Sequence, residues 1–178
     1  MKKDSRAMDI NTLYKISYGL YIVSSKKGER RNGLISTTVF QTTAEPPTVT
    51  ASINKLSLTH EYIAHSGVFG VSVLSKATPM KFIGTFGFKS GRDIDKFDGV
   101  ECTTGSTGAP IVLENAVAYL DAKVINSLDL GTHTLFVGEV VGAETLNDSE
   151  LMTYAYYHDV KHGMSPEAAP TFIRKIGG

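Results

Sequence analysis

Apolar and polar residues alternate along much of this chain with a period close to two, in short runs. The cleanest case is 116–125. There Ala116, Ala118, Leu120, Ala122 and Val124 form one apolar set, while Tyr119, Asp121 and Lys123 fall on the other side. This predicts a strand with one buried face and one turned to water or to a partner. Residues 135–141 supply a strand to pair with it, and 68–74 reads as a buried strand. Residues 20–25 read as another, closed by a turn at 26–30 around Gly28. The polar run 33–43 is predicted as one long strand. Pro46 and Pro47 must then lie at a bend or strand edge, because neither can donate to a ladder, and the chain returns as a strand over 48–53.

Helical spacing is confined to short pieces. Residues 9–15 predict a helix with Asp9 as N-cap and Ile10, Leu13 and Tyr14 on one face. Leu58, Tyr62 and Ile63 share a face of a second helix, which Gly67 is suited to stop. A third begins at Pro79 and runs to Phe86. Residues 87–97 read as a loop leading into a short helix, 105–108 as a turn, and 149–161 as a helix or irregular tail. Short strands separated by turn residues, with 17 glycines, predict a mainly β fold, a barrel or sandwich with a few short peripheral helices. No repeat or second composition regime interrupts it, so a single domain is expected over 1–178. Residues 1–8 and 173–178 are expected as flexible ends, with Met8 as an alternative start.

Composition narrows the function classes. The 178 residues are 42% hydrophobic and 20% charged, ordinary for a soluble domain with an ample core. Eighteen basic residues balance eighteen acidic ones, so no broad field draws the chain to nucleic acid or an anionic membrane. No apolar run approaches the ~20 residues of a membrane span, and no apolar stretch follows the two N-terminal lysines as in a secretory signal. The single cysteine, Cys102, allows no intrachain disulfide and fits a reducing, cytoplasmic setting. His65, His158 and His162 lack metal-ligand spacing, so no metal site is expected. No GxGxxG after a strand, P-loop or GxSxG elbow is present.

The candidate chemistry lies in one stretch, NGLISTTVFQTTAEPPTVTASINKLSLTHEY, residues 32–62. At its end, Asn54, Lys55, Ser57 and Thr59 stand at the start of the second predicted helix. The first amides there lack internal acceptors and the helix dipole favours an anion. Two readings fit: the group holds a phosphate, or Ser57 or Thr59 simply caps the helix. The run Ser36, Thr37, Thr38, Gln41, Thr42 and Thr43 is polar on both sides of its predicted strand, and Gly33 permits close backbone approach. A flat ring with N–H and C=O groups on its rim would suit such an edge, as would an ordinary polar edge strand. A ring with a phosphate tail has the outline of FMN. His133, after Gly131 and Thr132, reads as a surface or packed histidine or as a contact to a nicotinamide donor; His60 is expected on the solvent side of its helix. The cluster Tyr154, Tyr156, Tyr157, His158 and Lys161 fits core packing, a subunit interface or a lid over a planar cofactor.

With FGFKSGRDIDKF and GTHTLFVGEVVGAE, this stretch resembles the flavin reductase-like, FMN-binding split-barrel family. It looks nearest to the flavoredoxin and ferric-reductase-like branch and to the flavin domain of high-molecular-weight rubredoxins, over roughly residues 8–172. The resemblance implies a homodimer of Greek-key split barrels with FMN near the subunit interface. It implies that Asn32, Gly33, Ser36 and Thr37 approach the ring and that Thr42 lies along its polar edge. Asn54, Lys55, Ser57 and Thr59 would hold the phosphate, His133 would lie near the nicotinamide, and Phe86 and Tyr157 would cover the ring. The implied activity is hydride transfer from NADH or NADPH to flavin, with electrons passing to free flavin, ferric complexes or a small redox protein. The alternatives are a tightly bound FMN electron carrier without nicotinamide oxidation, and a split barrel that binds another ligand. No CxxC pair follows the tail, so a rubredoxin-like iron centre is expected as a separate partner.

Overall fold

The computed structural model describes residues 9–167 and 169–172; the expectations for the two ends, 1–8 and 173–178, lie outside them. A 3-10 helix, Ile10–Lys15, stands where the first helix was predicted. Leu13 from its predicted apolar face is half exposed, and the side chains of Ile10 and Tyr14 lie outside the description. Strands β1 (Tyr21–Lys27) and β2 (Arg30–Ser36) form a hairpin from Tyr21↔Ser36 to Lys27↔Arg30. Its two-residue turn places Gly28 at φ 59°, where a residue without Cβ is unstrained.

The predicted single strand over 33–43 is two strands. β2 ends at Ser36, and β3 (Val39–Ala44) then pairs with β4 (Pro47–Asn54). Periodicity could not show this break, because Thr37 and Thr38 are as strand-compatible as their neighbours. What separates β2 from β3 is the sheet order, β2-β1-β5-β8-β9-β4-β3, in which they occupy opposite ends. The Thr38 carbonyl accepts the Ser52 amide of β4, so the chain steps across the gap between the two ends of a rolled sheet. That gap is the split of a split barrel. Pro46 falls in the turn between β3 and β4, and Pro47 opens β4.

Helix α1 (Leu58–Ser66) follows, with Gly67 at φ 69° donating its amide to the Ile63 carbonyl as a left-handed stop. The chain then crosses to β5 (Val68–Leu74), beside β1, which is the Greek-key return. Helix α2 (Met80–Phe88) begins after Pro79 and runs two residues beyond its predicted end. The short helix expected within 87–97 does not form: the segment after α2 is a series of turns. A small hairpin, β6 (Cys102–Thr104) with β7 (Pro110–Val112), encloses the predicted 105–108 turn. The long strands β8 (Ala116–Asp129) and β9 (His133–Thr145) pair next, and α3 (Tyr154–Asp159) closes the chain.

Asp121, predicted to face water or a partner, is buried within its own chain. The turn folds over it, and its carboxylate accepts bonds from the Ser106 hydroxyl and from the amide and hydroxyl of Thr107. A buried carboxylate is tolerated when its lone pairs are met in this way. Two apolar clusters hold the fold. Val23, Val49, Ile53, Ile63, Phe69, Val71 and Phe136 fill the barrel. Leu20, Ile22, Leu74, Ile83, Phe86, Phe97 and Tyr157 form a second core outside it, where α2 and α3 pack on β1. Adjacent Ile22 and Val23 therefore serve different cores, as a period of two requires.

Candidate functional site

A cavity of about 340 Å³ opens between β2, the start of α1, the 87–96 segment and the chain after α3. This volume falls within the range of cofactor pockets, about 300–1,000 Å³. The floor is apolar: Leu34, Ile35, Ile83 and Phe86 line it. Phe86 is fully buried and meets Phe97 edge-on, with ring centroids 5.7 Å apart. Gly33 lies behind the wall. A Cβ there would stand 3.2 Å from Phe86 and from Ile22, so its small size serves the packing of Phe86.

One end of the cavity is the first turn of α1. Ser57 is its N-cap: the hydroxyl accepts the His60 amide at 3.1 Å and donates to the Asn54 carbonyl at 2.9 Å. Capping thus occupies that hydroxyl, while the amides of Leu58 and Thr59 have no acceptor within the helix. Thr59 is fully buried, and its Oγ1 accepts a 2.9 Å bond from Asn32 Nδ2. Asn54 also lines the cavity, its Oδ1 accepting the Leu56 amide. At the break between β2 and β3, Ser36 and Thr37 face the same space. Among the described residues the buried Ser36 hydroxyl has no hydrogen-bond partner, and Thr37 Oγ1 lies 3.3 Å from Thr171 Oγ1.

Of the predicted residues, Asn32, Ser36, Thr37, Asn54, Ser57, Thr59, Phe86 and Tyr157 come together on this wall. Tyr157 is buried, donates its hydroxyl to the Met164 carbonyl at 2.9 Å, and helps seat the segment that roofs the cavity. The structure places Lys55, Thr42 and His133 elsewhere. Lys55 turns to Asp129, with Nζ 2.5 Å from Oδ2, because the β8–β9 connection reaches the start of α1, where the Lys55 amide also bonds the Thr132 carbonyl. Thr42 pairs with Thr50 across β3 and β4. His133 lines an adjoining hollow with Leu130, Thr132 and Glu167, and this hollow shares Ser52 and Asn54 with the main cavity. His60 is half-buried against Phe136, with Nε2 2.8 Å from Thr134 Oγ1, and not on the solvent side as expected.

Sequence reasoning missed the cations of the segment after α2. Lys89, Arg92 and Lys96 all line the cavity. Arg92 pairs with Glu61 at 3.3 Å and is exposed. Lys96 is only 5% exposed, and its ammonium donates to the Gly33 and Phe86 carbonyls, each at 3.0 Å. Burial pushes that ammonium down to about 8. The signal available in the sequence was KSGR, a loop with two cations around a glycine; nothing local marked Lys96 as buried. Gly91 is required by contact, since a Cβ would stand 1.9 Å from Asn32 Oδ1. Among the described residues no group of three or more His, Cys, Asp and Glu side chains could hold a metal ion.

The residues present fit a flavin nucleotide. An apolar floor, a wall hydroxyl without a partner among the described residues, and a helix start flanked by cations suit a ring, its polar rim and a phosphate.

Comparison with known proteins points the same way. A ferric-chelate reductase (NAD(P)H) of Archaeoglobus fulgidus is 52% identical over 166 residues, covering 93% of this chain and 98% of that one. A high molecular weight rubredoxin of Moorella thermoacetica is 48% identical, covering 93% of this chain and 72% of the relative. Among solved structures, an FMN-binding protein from Thermus thermophilus with bound p-hydroxybenzaldehyde superposes with a TM-score of 0.66 at 27% identity, over 74% of this chain and 73% of that one. The family described as "Flavin reductase like domain" matches residues 13–165, and the chain belongs to it.

Proposed function

We propose that this protein is an NAD(P)H-dependent flavin reductase that holds FMN in the 340 Å³ cavity and passes electrons to ferric complexes, free flavin or a small redox protein. The observation that carries this reading is the cavity's polarity: an apolar floor over Phe86 leads to an end built from the α1 amides and the cations after α2. When bound, FMN supplies the redox chemistry, accepting a hydride from a nicotinamide. The protein binds and orients. Ser36, Thr37 and Asn54 offer hydrogen bonds at the ring's rim, while Phe86 and Tyr157 shield the space from water. Thr59 Oγ1 accepts from Asn32, which leaves its own hydrogen for a phosphate oxygen. The hollow beside His133 adjoins the same wall and is where the nicotinamide docks in this reading.

The ferric-chelate reductase supports ferric complexes as acceptors, and the rubredoxin relative supports a separate iron protein as a partner. A homodimer belongs to the same reading. An apolar groove lined by Val39, Phe40, Val73, Leu120, Val140 and Val141 lies open beside the barrel core, with Phe40 half exposed, and a second subunit would cover it. A cytoplasmic setting follows from the chemistry of NAD(P)H. Among the described residues no helix is long and apolar enough to cross a membrane.

The test is an anaerobic titration of the purified, FMN-loaded protein with NADH and with NADPH, followed by flavin absorbance. Bleaching by either donor and recovery on adding a ferric chelate are expected. Bleaching by dithionite alone would instead make the protein an electron carrier, and failure to take up FMN would overturn both readings.

A further inference from the structure

We propose that Lys96, rather than Lys55, supplies the buried positive charge that holds the phosphate of FMN. This rests on the FMN reading above and adds to it the residue that distinguishes FMN from a flavin without phosphate. An ammonium has three N–H donors, and two of those of Lys96 are taken by the Gly33 and Phe86 carbonyls. The third remains, and the side chain lines the cavity. No carboxylate among the described residues pairs with it. A buried charge without a counter-ion is unfavourable unless an anion arrives to meet it.

Its position is at the phosphate end. The Gly33 carbonyl it grips follows Asn32 directly, and Asn32 is bonded to Thr59 in the first turn of α1. Gly91, from the same segment as Lys96, rests against Asn32. The ammonium and the free α1 amides therefore flank one corner of the cavity. The other cations are less suited. Lys55 is committed to Asp129, Arg92 to Glu61, and Lys89 is exposed. Lys96 also ties the last turn of α2 to the edge strand β2, where the Phe86 carbonyl favours a cation. A neutral donor could make that tie, so a purely structural role and a phosphate role differ in what the ligand feels.

The experiment measures FMN and riboflavin affinity, by quenching of flavin fluorescence, for the unaltered protein and for Lys96→Gln, whose amide can still donate to a carbonyl. FMN affinity is expected to fall about tenfold or more while riboflavin affinity changes by less than about twofold, since only FMN carries the phosphate. Equal losses for both ligands, or no loss for FMN, would overturn the proposal. A second measurement needs no variant. The FMN-to-riboflavin affinity ratio of the unaltered protein is followed from about pH 7 to about pH 9.5. The bound phosphate favours the charged ammonium, so the ratio is expected to fall about tenfold as Lys96 loses its proton from about 8 upward. The other charged or titratable groups around this corner are Lys89, Arg92 and Asp95 from its own segment, Arg31 from β2, Glu61 from α1 and Tyr154 and Tyr157 from α3. Burial raises the Tyr157 phenol, which keeps it neutral over this range. A flat ratio overturns the proposal. If the unaltered protein binds neither flavin, the FMN reading itself fails.

Discussion

Asn32 on β2 donates its side-chain amide to the buried hydroxyl of Thr59 in the first turn of α1, at 2.9 Å. This bond joins a wall of the cavity to the helix start that closes its cationic end, across 27 residues of sequence. It sets the spacing between the two surfaces that a flavin nucleotide would bridge.

Removing either partner leaves a buried polar group unmet. Asn32→Ala is expected to destabilise the protein by about 2 kcal/mol, and Thr59→Val by a similar amount. A double-mutant cycle in urea should give a coupling energy of about 1 kcal/mol. Additive losses would show that the bond contributes nothing beyond the packing of its two residues.

Lys55 and Ser57 stand two residues apart at the head of α1, yet the structure gives them different work. Ser57 caps the helix, so Ser57→Ala is expected to lower stability by about 1 kcal/mol. Lys55 forms a surface ion pair with Asp129, so Lys55→Ala should change stability by less than about 1 kcal/mol. Its FMN-to-riboflavin affinity ratio should stay within about twofold of the unaltered protein. Thermal unfolding and fluorescence titration of the two variants check this; a large drop in that ratio for Lys55→Ala would return Lys55 to the phosphate site.

The His60 imidazole is held below its ordinary range, first by burial against Phe136, then by the nearby Lys55 and His133 charges, with Asp129 opposing. The folded state therefore favours the neutral ring. Below the unfolded value of 6.5 the unfolded chain binds more protons, so this part of the stability is present above 6.5 and declines as pH falls toward the lower folded value. Urea midpoints measured at about pH 7.5 and about pH 5.5 should show a decline, and His60→Gln should reduce it. An unchanged slope in that variant would assign the acid sensitivity to other groups.

The alternation in β8, the stop at Gly67, the start of α2 after Pro79 and the buried run of β5 were all legible in the sequence. Each depends on interactions within a few residues: a period of two, a left-handed φ, a proline that cannot donate. The polar character of the 32–62 stretch was legible for the same reason, and most of its singled-out residues do line one cavity.

What the sequence could not decide is which side chains meet across the fold. Thr37 and Thr38 read as mid-strand, and only the closing of the sheet separates β2 from β3. Asp121 reads as facing water or a partner, and it is the 105–107 turn of its own chain that covers it. Lys55 reads only as a cation at a helix start, and it is the β8–β9 connection that brings Asp129 to it. Nothing local marks Lys96 as buried; two carbonyls, from β2 and from the end of α2, converge on its ammonium only in the folded chain. Local propensity acts through neighbours in the chain, whereas burial and the pairing of charges depend on segments that only tertiary packing brings together.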